Sequence, residues 1–367
     1  MTGFLFSPFS LRDVTMPNRV AVAPMCQYSA TEGTPGPWHL MHLGHLALGG
    51  AGLVIVEATG VSPEGRITPH CTGLYSDENE AAFAEIIAFC RGVGPAAIGI
   101  QLGHAGRKAS TRAPWQDGGS LKPEEGPWQT LAPSAVPYLE GWPEPQALDA
   151  AGLEMVKSQF VQAAERAARI GFDLVEIHAA HGYLLHQFLS PLSNRRTDAW
   201  GGGPEGRMRF PLEVFEAVRA VFPKDKPVTV RLSATDWMEG GWDMEQSAVF
   251  CRELKARGCD LVHVSSGGLD QRQQIVTGPG YQVAFAADLR RAADMPVMAV
   301  GEITTPRQAE TIVRTGQADM VALARSMLWD PRWVWKAAVE LGAELELPAP
   351  YARANPALHA RPFVKRS

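Results

Sequence analysis

Asp173-Leu-Val-Glu-Ile-His-Ala-Ala-His-Gly-Tyr183 is the stretch on which the reading of this chain turns. It starts as a β-rich apolar run and ends in polar groups. His178 closes the run, and His181 and Tyr183 follow within five residues. A strand that delivers His-x-x-His-Gly-Tyr as it ends points titratable side chains into one pocket.

Seven other apolar runs have the length and content of strands. With Asp173–His178 they are Arg19–Ala23, Leu53–Glu57, Ala97–Leu102, Val228–Leu232, Leu261–Val264, Val297–Val300 and Met320–Leu323. Most are continuous rather than alternating, as parallel strands buried on both faces are. Helical patterns lie between them, at His39–Leu48, Glu78–Arg91, Leu153–Ile170, Gly206–Val221, Met244–Arg257, Ala284–Ala293, Pro306–Arg314 and Pro331–Leu341. Several helices run into a glycine just before the next strand, as at Gly171, Gly258 and Gly316, where glycine supplies a left-handed cap. Eight strands, each followed by a helix, predict an α/β fold with a single (β/α)8 TIM barrel forming one domain over residues 1–367. A doubly wound open sheet is the alternative.

Two segments depart from this rhythm. Residues 104–148, after the third strand, are rich in Pro, Gly and Trp and far longer than an ordinary βα loop, which predicts a capping loop over a site. The tail, residues 343–367, is Pro-rich and predicted to be non-helical. Its Tyr351, Leu358 and Phe363 suggest that it docks on another surface.

Composition narrows the function classes. The 367 residues are 46% hydrophobic and 20% charged with a net charge of −5, which leaves no electrostatic footprint for nucleic acid or an anionic membrane. No apolar run approaches a membrane span. The first residues lack the basic-then-apolar order of a signal peptide. Five scattered cysteines without a Cys-x-x-Cys pair argue against a disulfide framework or a structural zinc or iron–sulfur site. A cytoplasmic location is expected.

In a barrel of this kind the strand C-termini carry the chemistry. The first strand exits into Pro24-Met-Cys-Gln-Tyr28, the second into Ala58, the third into Gln101 and Gly103-His-Ala-Gly-Arg-Lys108, and the fifth ends near Arg231. Gly301 follows strand seven and Ala324-Arg325 follows strand eight, the usual place for a phosphate. An ion pair is the plain alternative for Arg325. Arg231 interrupts a buried strand and needs either a carboxylate or an anionic ligand. Gln101 could meet donor or acceptor edges of a planar heterocycle. His178 and His181 read either as metal ligands or as donors that polarise a carbonyl. For a metal no third ligand presents itself, Asp236 being the nearest carboxylate. Tyr183 would act as a neutral acid. Cys26 reads as a nucleophile or as a polarisable neighbour of a redox cofactor. Gly201-Gly-Gly-Pro-Glu-Gly206 matches a dinucleotide-binding pattern, but no strand precedes it.

Taken together, Ala23-Pro-Met-Cys-Gln-Tyr28, Gly103-His-Ala-Gly-Arg-Lys108, Ile177-His-Ala-Ala-His-Gly-Tyr-Leu-Leu-His-Gln-Phe-Leu-Ser-Pro191, Ser193-Asn-Arg-Arg-Thr-Asp198 and Ala299-Val-Gly301 resemble the old yellow enzyme family of FMN-dependent ene-reductases, in its bacterial thermophilic-like subgroup. The resemblance runs from Leu5 to about Arg353. It implies an NAD(P)H-dependent flavoprotein that reduces the C=C bond of α,β-unsaturated carbonyl compounds. FMN would be held at Ala23, Pro24, Met25, Cys26, Ala58, Gln101, Arg231, Gly301, Ala324 and Arg325. His178 and His181 would bind the substrate carbonyl and Tyr183 would deliver the proton, with Tyr28 and Lys108 lining the pocket. Tyr351-Ala-Arg353 resembles the subgroup's C-terminal element, whose arginine enters a neighbouring subunit's site, so a homodimer or homotetramer is implied with the tail at the interface. Gly203 and Gly206 stand where the family usually shows Ser and Asn. A metal-dependent barrel hydrolase and a non-catalytic flavin-binding barrel are the rival readings.

Overall fold

The computed structural model describes residues 3–344 and 346–358. Eight parallel strands close on themselves in sequence order: β1 (Val20–Val22), β2 (Leu53–Gly60), β3 (Ala97–Gly103), β4 (Leu174–Ala179), β5 (Val228–Ser233), β6 (Val262–Ser265), β7 (Val297–Ala299) and β8 (Met320–Leu323). The pairing of β8 with β1, Val321 with Val20 and Leu323 with Val22, shuts the ring and rules out the open sheet. Around it lie α1 (Pro37–Leu48), α2 (Asp77–Val93), α3 (Ala150–Ile170), α4 (Pro204–Val221), α5 (Met244–Ala256), α6 (Val283–Ala293), α7 (Pro306–Arg314) and α8 (Trp333–Leu341). The expected helices stand within a few residues of their predicted bounds, the spread that fraying ends produce.

The helix α3 shows how local sequence sets an element. Asp149 caps its start by accepting a hydrogen bond from the Gly152 amide at 2.7 Å. Leu153, Val156, Phe160, Ala163, Ala164 and Ala167 recur at helical spacing and are all buried against the barrel. Gly171 ends it at φ 94°, a left-handed conformation in which a side chain would be strained. Gly203, by contrast, stands before α4 with no side-chain cap.

Three features were not legible in the apolar pattern. An antiparallel hairpin, Phe9–Leu11 with Val14–Met16, precedes the barrel. Its Leu11 and Met16 pack with Leu53, Ala97, Leu174 and Met320, which lie at or near the strand starts, so the hairpin plugs the bottom of the barrel. Short helices at Leu184–Leu189 and Arg325–Trp329 follow β4 and β8. The β2–β3 register shifts between Val56 and Ala58, a bulge that sets Glu57 out of the ladder.

The long segment after β3 is a packed structure, not a loose loop. It holds three single-turn 3-10 helices and a short strand pair, Leu131–Ala132 with Gln146–Ala147. Ala105, Ala109, Leu121 and Leu131 are buried beneath it. In the tail, Tyr351 packs edge-on to Trp335 of α8 at 5.8 Å, and the Arg332 guanidinium lies 4.7 Å from the Tyr351 ring centre. The expected docking through Tyr351 is therefore onto this chain's own last helix. Leu358 is exposed, and Phe363 lies outside the described residues.

Truncating Phe160, which is fully buried between α3 and the sheet, should cost about 3–5 kcal/mol by loss of transfer free energy and creation of a cavity. Denaturant unfolding of Phe160→Ala checks this; a loss below about 1 kcal/mol would contradict the packing described.

Candidate active site

The end of β4 and the turn after it bring the central side chains together. His178 pairs in register with Arg231 on β5. Beyond Ala180 the backbone adopts two successive left-handed residues, His181 (φ 58°) and Gly182 (φ 74°). A Cβ on Gly182 would fall 2.2 Å from the Gly268 carbonyl, and one on Gly268 would fall 2.5 Å from His181 Cα. Glycine at both positions lets the β4 and β6 loops cross backbone to backbone. Lys108 staples the crossing: its Nζ donates to the His181 carbonyl at 2.8 Å and to the Gly268 carbonyl at 2.9 Å.

The crossing sets three rings against one another. The His178 ring centre lies 5.2 Å from that of His181 and 4.9 Å from that of Tyr183, each pair nearly perpendicular. Lys108 Nζ is 5.0 Å from the Tyr183 ring centre and 4.9 Å from that of Tyr138 in the capping segment. Tyr28, at φ 50°, sets its ring edge on Trp115 of the same segment at 5.4 Å.

Hydrogen bonds and burial define the protonation states. His178 Nδ1 accepts from the Ala180 amide at 3.2 Å, so its proton sits on Nε2. Gln282 Oε1 already accepts from Ser266 at 2.6 Å, and its contact with Ser265 is a long 3.4 Å. The Ser265 hydroxyl also lies 2.8 Å from His181 Nε2, so that ring nitrogen is engaged within the protein. Burial, reinforced by the Arg231 cation, holds both histidines well below the ordinary imidazole range, so each is neutral. Burial pushes the Tyr183 phenol well up, with Cys26 and Tyr28 adding to it, and keeps it protonated. Burial, then Arg107, lowers Lys108 to about 7. Burial likewise raises Cys26 well above its ordinary value, with Cys71 and Glu57 contributing. A thiol held in its protonated form is a poor nucleophile.

Beside the rings opens a cavity of about 720 Å³ lined by His181, Arg231, Ser265, Gly301, Ala324 and Arg325, among others. This is the size of a cofactor site. Arg231 is buried with its Nε lacking a partner, which marks a donor aimed at something other than protein. Gly301 adopts φ 119° at the end of β7. Arg325 is largely exposed and pairs only loosely with Glu302, at 3.6 Å, so the ion-pair reading does not exhaust its charge. A buried cation at one end, an open glycine and a second cation at the other suit a planar ring carrying a phosphate, as FMN does.

The other expected positions lie around this centre. Ala23 directly follows β1, its amide donating to the Leu323 carbonyl at 3.0 Å. Pro24, Met25, Cys26 and Gln27 follow, with the Gln27 side chain bonded to the Met25 carbonyl. Ala58 shares a small recess with His104, His178 and Tyr183. Gln101 is buried and donates to Glu176 at 2.7 Å. Arg353 stands apart: it is exposed, in the segment pinned by Tyr351, and does not line this chain's cavity.

Sequence reading missed several supporting residues. Glu57, set out by the bulge, accepts from the Gln27 amide at 3.0 Å and faces His39 Nε2 at 3.2 Å. Glu176 and His263 form a buried pair at 2.9 Å. Each is a charged or polar residue inside an apolar run, the same signal that singled out Arg231. Asp236 is committed elsewhere, to His186 at 2.9 Å and to the Ser190 hydroxyl and Trp242 amide. The glycine-rich run at 201–206 opens α4 with no strand before it, so it forms no dinucleotide fingerprint.

Comparison with known proteins agrees with this geometry. Residues 4–344 match the NADH:flavin oxidoreductase / NADH oxidase family. An NADPH dehydrogenase of Geobacillus thermodenitrificans is 44% identical over 355 residues, covering 96% of this chain and 99% of the relative. That of Bacillus subtilis is 42% identical over the same length and coverage. Among solved structures, morphinone reductase superimposes with a TM-score of 0.76 at 30% identity, covering 95% of this chain and 92% of its own. A second morphinone reductase structure, in complex with tetrahydroNAD, gives 0.75 at 30%, covering 94% and 93%. The chain therefore belongs to the NADH:flavin oxidoreductase / NADH oxidase family, the family of old yellow enzyme.

Proposed function

We propose that this site reduces the C=C bond of an α,β-unsaturated carbonyl compound, an NAD(P)H-dependent ene-reductase reaction. The observation that carries the proposal is the pair of neutral imidazoles, with the His178 Nε2–H left for a ligand, set beside a buried protonated phenol. FMN bound in the cavity supplies the hydride that reaches the alkene β-carbon, its electrons coming from NAD(P)H. The groups to hold it are Ala23, Pro24, Met25, Cys26, Ala58, Gln101, Arg231, Gly301, Ala324 and Arg325.

The protein's own part is positioning and electrostatics. His178 Nε2–H donates to the substrate carbonyl oxygen, where negative charge grows as hydride arrives, and His181 Nδ1–H joins it with the Ser265 hydroxyl donating to His181 Nε2. Because both rings are held neutral, they donate without titrating. Tyr183 gives its proton to the α-carbon. The phenolate left behind is poorly tolerated in so buried a place, which drives its reprotonation. Tyr28 and Lys108 line the substrate space, and Trp115 and Tyr138 of the capping segment brace them. No observation favours a metal-dependent hydrolase or a non-catalytic barrel.

The proposal extends to assembly. A homodimer or homotetramer would let Arg353 reach a neighbouring subunit's site. Support comes from its exposure on a segment anchored by Tyr351, and from the apolar Leu328, Trp329 and Leu358 exposed in the same C-terminal part of the chain. A cytoplasmic location is proposed as well. Among the described residues no helix is long and apolar enough to cross a membrane, and all five cysteines are free.

In Tyr183→Phe, oxidation of the reduced enzyme by an enone should slow by about 10²–10⁴-fold, while reduction by NADPH stays nearly unchanged in stopped-flow absorbance. Equal losses in both half-reactions would refute the proton-donor role. The histidines also predict a pH dependence of stability. Unfolded histidines bind protons as pH falls through about 6.5, whereas folded His178 and His181 do not, so the unfolded state binds more protons and acid destabilises the fold. Between about pH 7.5 and about pH 5.5 the wild type should therefore lose more unfolding free energy than a His178→Gln/His181→Gln double variant; parallel profiles would contradict the neutral assignment. Finally, Arg353→Ala should raise KM for the enone or change the assembled mass seen by light scattering, and identical kinetics and mass would remove the cross-subunit role.

A further inference from the structure

Below the histidine pair, three polar side chains are sealed inside the barrel. Glu176 lies two residues before His178 on β4 and is fully buried. Its Oε1 accepts from Gln101 Nε2 on β3 at 2.7 Å. Its Oε2 lies 2.9 Å from Nδ1 of His263 on β6. Gln101 pairs in register with Glu176, and His263 with Arg231, so four consecutive strands contribute to one polar layer.

Ionisation gives this layer a direction. Burial by itself would raise the Glu176 pKa, but the hydrogen bond from His263 and the Arg231 cation outweigh it and the net shift is downward, so the group is a carboxylate. Burial keeps His263 neutral. A carboxylate accepts and never donates. The amide nitrogen of Gln101 must therefore face Glu176, and its carbonyl oxygen is turned away from it. Glutamine orientation is ordinarily a matter of assignment, but here the acceptor-only partner removes the choice. The same logic puts the His263 proton on Nδ1. Arg231 can only donate. An apolar side chain in place of Glu176 would fill the space without the cost of burying a charge, so bulk alone does not account for it.

We propose that Glu176, backed by His263, is a positioning residue that sets the polarity of the cofactor seat. By holding the Gln101 amide nitrogen, it turns the Gln101 carbonyl away from itself, and this acceptor together with the buried Arg231 donor selects a heterocycle edge in which an N–H adjoins a carbonyl, the imide edge of an isoalloxazine. The inference rests on the cavity being the FMN seat.

The test uses the full-length protein stripped of flavin and titrated with FMN labelled with ¹⁵N at the imide nitrogen. In the wild type the bound imide proton should resonate at low field and exchange slowly with water. In Glu176→Gln the substituted amide can donate as well as accept, so Gln101 is free to turn over. The imide proton should move upfield and exchange faster, and the FMN Kd should rise by about tenfold, as loss of one good buried hydrogen bond implies. A second measurement needs no variant: ¹⁵N correlation spectra of the wild type should show His263 neutral with its proton on Nδ1. An unchanged imide resonance and Kd in Glu176→Gln, or a His263 bare at Nδ1, overturns the proposal while leaving the FMN seat standing. If Glu176→Gln does not fold, the His263 tautomer decides alone. A wild-type chain that takes up no FMN overturns the seat and the proposal together.

Discussion

A guanidinium keeps its proton at any accessible pH, and Arg231 carries one into the interior of the barrel with its Nε unpartnered. Much of the site follows from accommodating that charge. It joins His263 in holding Glu176 ionised on one side, and on the other it adds to the burial that keeps His178 and His181 neutral. It also leaves a donor directed at a ligand. A barrel filled only with apolar layers would be a sound core but would offer no fixed field. Here the strands β3 to β6 set one carboxylate, Glu176, among the donors Gln101, Arg231 and His263.

The second constraint is steric. The rings of His178, His181 and Tyr183 meet because two loop backbones cross at Gly182 and Gly268 with no room for a side chain. Lys108 locks the crossing by bonding a carbonyl from each loop. The positions of the proposed donors are thus set by backbone geometry, which is stiffer than any arrangement of surface side chains. The long segment after β3 adds Trp115 against Tyr28 and Tyr138 against Lys108.

The barrel was readable because continuous apolar runs of similar length alternate with amphipathic helices, and strand ends such as His178, Gly301 and Arg325 broke those runs with polar or glycine residues. The bottom hairpin escaped because three-residue strands carry no period to detect. The support residues escaped for a different reason. Glu57, Glu176 and His263 sit within strands, where one-dimensional reading shows a polar intruder but not which of four neighbouring strands will answer it. Glu176 in particular lay inside the stretch quoted first, masked by the histidines that follow. In the tail, expected to be non-helical, Ala349–Ala354 and Pro356–Leu358 form 3-10 turns, and of the side chains expected to dock, Tyr351 packs on Trp335 and Arg332 of this chain while Leu358 stays exposed.

The central claim is that neutral imidazole N–H groups polarise the substrate carbonyl in a buried pocket. Isotope-edited infrared spectroscopy of a ¹³C-carbonyl enone analogue bound to the oxidised holoenzyme tests it most directly. The account predicts a carbonyl stretch moved to lower frequency than in water, with the displacement shrinking when His178 is replaced by alanine. A carbonyl band at its solution frequency, or one indifferent to that replacement, would contradict it.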